Sequence, residues 1–334
     1  MKCLVTGGGG FLGGRIVELL LEAGHEVHFL ARNAYPDVLA RGAVGHRIDL
    51  CRPEALDLAL TGVEAVFHVA AKTGYWGAHE EFRSINVDGT RNLLAACRAA
   101  GVKRFVYTST PSVIGYQHDV AGIESAPYAS KFESSYAATK AEAEQLVLAA
   151  NGPDLATVAL RPHLVIGPGD TNLLPRVVAR ARSGKLLRIG NGHNKVDITF
   201  VDNAAWAHLD AAAALVDSGA RCAGKAYFIS NDDPRPLWPW IDAFLGQVGV
   251  APVARGIPFG LAMVLGAVLE WVWTVSRRSG EPRMTRFVAL ALAREHWYSM
   301  APARADFGYR VRVGLDEGTK RTAAWFTETH GSRS

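Results

Sequence analysis

The chain has 334 residues, 49% of them apolar, enough to bury a large core as one α/β domain or as two joined parts. Its 36 basic and 32 acidic residues leave a formal charge of +4, and no basic stripe runs among aromatic residues, which excludes nucleic acid as an expected partner. Four scattered cysteines, Cys3, Cys51, Cys97 and Cys222, exclude a disulfide frame or a zinc site and predict a reduced, cytoplasmic protein.

The first residues run straight into a strand, which predicts no signal peptide. Residues 2–6 read as that strand and 11–23 as an amphipathic helix, joined through VTGGGGFLG. The frame is Gly7-x-x-Gly10-x-x-Gly13. Glycine at the first two positions lets the backbone turn sharply and approach a pyrophosphate, and the third lets the helix pack on the strand. The helix start, with Phe11 and Leu12, then turns its free N–H groups and positive dipole end toward the phosphates. Further strands are expected at 26–31, 47–50, 65–69, 104–108 and 156–160, and helices at 53–60, 80–100 and 134–150. This alternation predicts an α/β fold, a Rossmann-type doubly wound parallel sheet that binds ligands at the carboxyl ends of its strands.

The second strand ends in Arg32, with no acid until Asp37. An acid there would hold a ribose 2′-hydroxyl, whereas arginine suits a 2′-phosphate, so NADP(H) is expected in preference to NAD(H).

The helix at 134–150 carries Tyr136 and Lys140 on one face, four residues apart. A free phenol, with a pKa of about 10, is a poor acid or base near neutrality. An ammonium one turn away favours the phenolate, and the same lysine can hydrogen-bond a nicotinamide ribose. Upstream, YTSTPS at 107–112 ends a strand and offers hydroxyls to hold a substrate oxygen: Thr110, with Ser109 as second candidate.

After residue 162, loops rich in Pro and Gly separate shorter elements. Residues 1–162 are expected to bind the dinucleotide. Residues 163–334 are expected to form a smaller substrate-binding cap, with one return to the core sheet near 195–201. The segment 257–275, IPFGLAMVLGAVLEWVWTV, precedes Arg277 and Arg278 and is mostly apolar. Glu270, Pro258 and Gly260 argue against a spanning helix. Two readings stay open: a buried or pocket-lining helix, or one lying in a membrane interface with Trp271 and Trp273 as anchors. His25, His28, His46 and His208 show no metal spacing, and Trp238 and Trp240 are expected to pack the cap.

Taken together, these residues resemble the extended short-chain dehydrogenase/reductases over about residues 1–230. Thr6 to Gly13 matches the family's glycine loop. Asp49 with Leu50 matches its adenine-facing acidic position, and His68-Val69-Ala70-Ala71 its fourth-strand segment, with Ala70 beside the cofactor. Thr110, Tyr136 and Lys140 match the catalytic hydroxyl, tyrosine and lysine, although the family usually has serine at the first. Arg161-Pro162 matches the segment passing the nicotinamide, and Asn86 a position that fixes the active-site helix.

The runs YTSTPSVI, YAATKAEAEQLVLAAN, ALRPHLVIGPGD and IGNGHNKVDITFVDNAAWAH are similar to the 3β-hydroxysteroid dehydrogenase branch. Within it, AAKTGYWG, EPRMTRFV and DFGYRVRVGLDEG resemble bacterial 2-alkyl-3-oxoalkanoate reductases of long-chain olefin synthesis. That resemblance implies NAD(P)H-dependent reduction of a 3-oxo group on a hydrophobic substrate. The sterol-4α-carboxylate 3-dehydrogenases share most of the same runs and imply oxidation instead. Both substrates carry a carboxylate beside the reacting carbon, so Lys72, His163, Arg176 and Lys195 are its candidate partners. A family-like homodimer would pair the helices at 80–100 and 134–150. A nucleotide-sugar epimerase or dehydratase would want polar groups for a diphosphate, against the apolar 257–275. A non-catalytic NADP(H)-sensing module would usually lose Tyr136 or Lys140.

Overall fold

The structure is a computed structural model and describes residues 1–115, 120–276, 278 and 280–330; Arg277 lies outside the described residues. Seven strands form the central sheet: β1 (Lys2–Thr6), β2 (Glu26–Ala31), β3 (Val44–Arg47), β4 (Ala65–His68), β5 (Arg104–Thr108), β6 (Ala156–Pro162) and β7 (Lys225–Ile229). Their order is β7-β6-β5-β4-β1-β2-β3, and every neighbouring pair is parallel. The order reverses between β1 and β4, which opens a crevice at their carboxyl ends.

The strands are apolar runs because helices cover both faces. Cys3, Leu4 and Val5 of β1 are fully buried, with alternate side chains entering opposite layers. One layer contains α1 (Phe11–Glu22) and the other α2 (Gly89–Ala99) and α3 (Ser135–Ala149). Beyond the cap's first helix, α4 (Leu173–Arg182), the chain returns as α5 (Val201–Ala214), which packs beside α1. The later part of the chain thus shares the core of the first.

The cap is a third apolar cluster around Trp238, Phe244 and Phe326. It is built from α4, α6 (Leu237–Gln247), α7 (Phe259–Ser276), α8 (Arg286–Ala293) and α9 (Leu315–His330). As expected, both tryptophans pack it: Trp238 Nε1 donates to the Leu292 carbonyl at 3.1 Å and Trp240 Nε1 to Thr319 Oγ1 at 3.1 Å.

Three expectations are corrected. The return to the core sheet is β7, not 195–201. Lys195–Val196 pairs with Arg235–Pro236, and Thr199–Phe200 with Val165–Ile166, in two-stranded ladders of the cap. The third strand is Val44–Arg47 rather than 47–50, because Asp49 Oδ1 accepts the Cys51 N–H at 3.0 Å and turns the chain. The helix expected at 80–100 is a short turn, His79–Arg83, then a π-helical turn, Ser84–Asp88, and only then α2. The wide turn contains Asn86, whose side chain reaches out of the helix to the backbone of Lys72.

Candidate active site

The glycine turn between β1 and α1 has the shape a pyrophosphate requires. Gly7 sits at φ +69°, and a Cβ there would lie 3.0 Å from Ala70 Cα. A Cβ on Gly13 would lie 2.2 Å from the Gly7 carbonyl oxygen, so only glycine lets α1 approach the turn. Gly10 caps α1 and no side chain does, which leaves the helix start open to an anion. Phe11 and Leu12 open that helix. At the far edge, Arg32 and Arg47 are both exposed just past β2 and at the end of β3, and Arg47 Nε donates to the Arg32 carbonyl at 3.0 Å. Asp49 is exposed beside the buried Leu50.

A chain of buried hydrogen bonds ties this turn to the helix carrying Tyr136. Thr6 Oγ1 accepts the Val69 and Ala70 N–H groups at 3.1 Å each, so its own proton goes to His68 Nδ1 at 2.7 Å. His68 Nε2–H then donates to Thr90 Oγ1 at 2.8 Å, and Thr90 to the Asn86 carbonyl at 2.6 Å. Burial holds His68 down to about 3, which keeps it neutral in this tautomer. Asn86 Nδ2 donates to the Lys72 carbonyl and to Thr139 Oγ1, at 3.1 Å each, one residue before Lys140.

The N-terminus of α3 is fixed by Ser134, whose hydroxyl accepts the Ala137 N–H at 3.2 Å. Tyr136 then lines a cavity of about 510 Å³ together with Thr110, Pro162 and His163. Thr110 lines the same cavity, with its Oγ1 accepting the Ser112 N–H at 3.3 Å. Ser109 is buried and lines no part of this cavity, so of the two hydroxyl candidates Thr110 is the one that shares the cavity with Tyr136.

Lys140 is fully enclosed. Its Nζ donates to the Thr108 carbonyl at 2.5 Å and lies 4.1 Å from the Tyr107 ring centroid. Burial lowers its pKa to about 7, against the pull of Glu144 one turn later. Glu144 is held by Arg161, Nε to Oε2 at 2.9 Å and Nη2 to Oε1 at 2.5 Å, and accepts the Tyr128 hydroxyl at 2.8 Å. Tyr136 itself is pushed up to about 12 by burial and by the phenol of Tyr75. This departs from the expected lowering by Lys140, whose ammonium is committed to Thr108. The phenol keeps its proton near neutrality and is poised as an acid.

The expected carboxylate partners do not gather here. Lys72 lines neither the main cavity nor a second, smaller one; its Nζ pairs with Glu81 at 2.9 Å and lies over the Phe82 ring. Lys195 is exposed on the cap ladder and lines neither of these two. Arg176 stands at the smaller cavity and pairs with Glu281 at 2.7 Å. His163 does line the main cavity, but burial keeps it neutral and its Nδ1–H donates to the Asp197 carbonyl at 2.8 Å. The cations on that wall are Lys131 and Arg294. Arg294 carries no carboxylate pair among the described residues; its guanidinium lies 5.5 Å from the Phe259 ring centroid. Sequence reading missed Arg294, Tyr75 and Phe287, although Tyr75 and Phe287 stand inside the runs AAKTGYWG and EPRMTRFV.

The helix α7 is neither buried nor pocket-lining. Among the described residues it contributes nothing to either cavity, and only Ala262 and Gly266 are buried. It is the one described helix long and apolar enough to cross a membrane. No group of three or more metal-ligating side chains exists among the described residues.

The sequence model of the 3-beta hydroxysteroid dehydrogenase/isomerase family matches residues 4–257. The 2-alkyl-3-oxoalkanoate reductase of Stenotrophomonas maltophilia (strain K279a) is 51% identical over 327 residues, covering 97% of this chain and 99% of that protein. The decarboxylating sterol-4-alpha-carboxylate 3-dehydrogenase of Mus musculus is 38% identical over 332 residues, covering 97% and 91%. The crystal structure of gox2253 superposes with a TM-score of 0.79 at 27% identity, covering 98% of each chain.

Proposed function

This chain belongs to the 3-beta hydroxysteroid dehydrogenase/isomerase family of oxidoreductases, and on that premise we propose that it reduces 2-alkyl-3-oxoalkanoates to 2-alkyl-3-hydroxyalkanoates. The observation that carries this reading is that Thr110 and Tyr136 stand together on the wall of a partly apolar cavity. The reductase of Stenotrophomonas maltophilia supports the substrate class.

The nicotinamide dinucleotide supplies the hydride. Its pyrophosphate would lie on the Gly7–Leu12 turn, in reach of Gly10 and Gly13, with Asp49, Leu50 and Ala70 along the adenosine and ribose side and Pro162 beside the nicotinamide. Arg32, seconded by Arg47, favours NADP(H) over NAD(H). Residues 1–162 hold this cofactor and 163–334 shape the substrate cavity. Thr110 holds the ketone oxygen, and Tyr136, protonated near neutrality, gives that oxygen its proton. When the dinucleotide is bound, Lys140 would hydrogen-bond its ribose through an N–H not used by the Thr108 carbonyl, and in its protonated form would supply positive charge as the phenolate forms. Arg294, with Lys131, holds the carboxylate beside the reacting carbon. Lys72 and His163 leave this role to them.

The enzyme is read as cytoplasmic, docking peripherally on membrane through α7, and as a homodimer built on α2 and α3; sedimentation at the monomer mass would remove the dimer.

The test pairs two assays of the purified protein. One follows NADPH oxidation with a long-chain 2-alkyl-3-oxo acid. The other follows NAD(P)⁺ reduction with a 3β-hydroxysterol and its 4-carboxylate. Turnover of the oxo acid is expected, and makes olefin synthesis the natural context; turnover of the sterol alone moves substrate and direction to the dehydrogenase reading. Tyr136→Phe should lower kcat roughly 10²–10⁴-fold with cofactor binding intact, and a parental rate would remove Tyr136 as the acid.

A further inference from the structure

The smaller cavity, about 140 Å³, lies among α4, α6 and α8 and is walled by Leu174, Val177, Ile198, Trp240 and Ile241. It adjoins the main cavity: Tyr75, Leu164, Leu173, Phe287 and Ala291 line both. Tyr75 and Phe287 stack at this boundary, with ring centroids 4.9 Å apart and planes 27° from parallel. At the smaller cavity, Arg176 Nη1 donates to Glu281 Oε2 at 2.7 Å, and Arg180 also lines the wall. The other oxygen of Glu281 accepts the Tyr75 N–H at 3.4 Å, so the same pair anchors the loop that carries Tyr75.

A straight-chain 3-oxo acid has one hydrocarbon arm beyond the carbonyl, and a sterol is one rigid body. An acid alkylated at C2 has two arms diverging from adjacent carbons, and needs two apolar spaces that meet at the reacting carbon. On C2 the alkyl arm and the carboxylate branch from one atom, so their binding groups must be neighbours. Phe287 and Ala291 are four apart on α8, and Arg294 follows at its C-terminal cap. The wall of the smaller cavity and the cation assigned to the carboxylate therefore stand on one edge of one helix.

We propose that the smaller cavity is the subsite for the alkyl branch on C2, entered past Tyr75 and Phe287, and that it selects for α-branched substrates. This rests on the reductase reading above and names what that reading leaves open. Burying a methylene is worth about 0.8 kcal/mol, roughly fourfold in an equilibrium constant, so a subsite should show as a rise in kcat/KM with branch length.

The experiment uses the full chain and stable 2-alkyl-3-hydroxy acids, followed by NADP⁺ reduction. One series lengthens the C2 branch from methyl at a fixed C3 chain, and the other lengthens the C3 chain at a fixed methyl branch. Val177 is half-buried on α4, so Val177→Trp can fill the cavity from its edge, and Val177→Ala enlarges it. Val177→Trp should lower kcat/KM tenfold or more for the long C2 branch and stay within twofold for the methyl branch, while Val177→Ala shifts preference to longer branches. Equal losses on both substrates, no loss on either, or a loss that follows the C3 chain would overturn the subsite while leaving the reductase reading intact. A parent enzyme inactive on every acid would overturn the reductase reading, and the subsite with it. An unchanged thermal shift on adding NADP⁺ checks that both variants fold.

Discussion

At the scale of single residues, the roles readable from sequence were those set by local spacing. Tyr136 and Lys140 share a helical face because they are four apart, while Gly7 is demanded by its own positive φ and Gly13 by the Gly7 carbonyl six residues back. What the lysine points at was not readable, since the Glu144–Arg161 pair and the Thr108 carbonyl that compete for it come from β5, α3 and β6. Asp197 shows the same limit: nothing in its neighbours marks it, yet it is fully buried, with Oδ2 accepting the Tyr298 N–H at 2.7 Å. Burial, aided by Asp232 and Asp233, raises its carboxyl from 3.8 to about 7. Between those values the folded chain binds a proton that the unfolded chain does not. Its stabilising contribution is therefore complete below 3.8 and lost as pH rises through about 7. Asp197→Asn keeps an acceptor for Tyr298 and removes the titration. Urea unfolding at pH 5 and pH 8 should show the parent losing stability relative to the variant on going to the higher pH. Parallel profiles would mean that Asp197 does not titrate in this range.

At the scale of elements, strands buried on both faces were legible as apolar runs, and β1, β2 and β5 fall where the sequence puts them. The edge strand β3 was displaced because half-exposed residues such as Val44 carry no such run. The helix α7 was legible as apolar but not as exposed. Its single acid explains the outcome. Glu270 turns toward α8, accepting the Arg286 N–H and Nε–H at 2.7 Å each, while Gly266 lets the two helices touch. The opposite face is left apolar and open, with Val264, Trp271 and Val275 each more than 60% exposed. An exposed patch of this kind marks an interaction surface, and the exposed Arg278 beyond the helix suits anionic headgroups. Parent protein should sediment with phosphatidylglycerol vesicles. Trp271→Glu with Val264→Glu should leave it in the supernatant without changing turnover of a short, soluble acid. Parent protein that stays in the supernatant would remove the membrane from this face.

At the scale of the whole molecule, the cofactor half and the substrate half differ in how far apart their parts lie along the chain. The dinucleotide cradle is made from consecutive strand ends, so alternation and glycine spacing suffice to place it. The substrate cavity joins Tyr75, Tyr136, Leu164 and Phe287, which only tertiary packing brings together. The ends of β2 and β3 lie on the cradle's side of this division, where Arg32 and Arg47 stand side by side. An arginine paired with a 2′-phosphate contributes about 1.5–3 kcal/mol, roughly ten- to a hundredfold in Kd. Because a ligand that binds only the folded state raises its melting temperature, the preference can be read without any substrate. NADPH should raise the Tm of the parent more than NADH at equal concentration. Arg32→Ala should bring the NADPH shift down toward the NADH shift, leaving the latter in place. Equal shifts in the parent would show that the cradle does not distinguish the two cofactors, and the arginines would then be surface charges of the sheet edge.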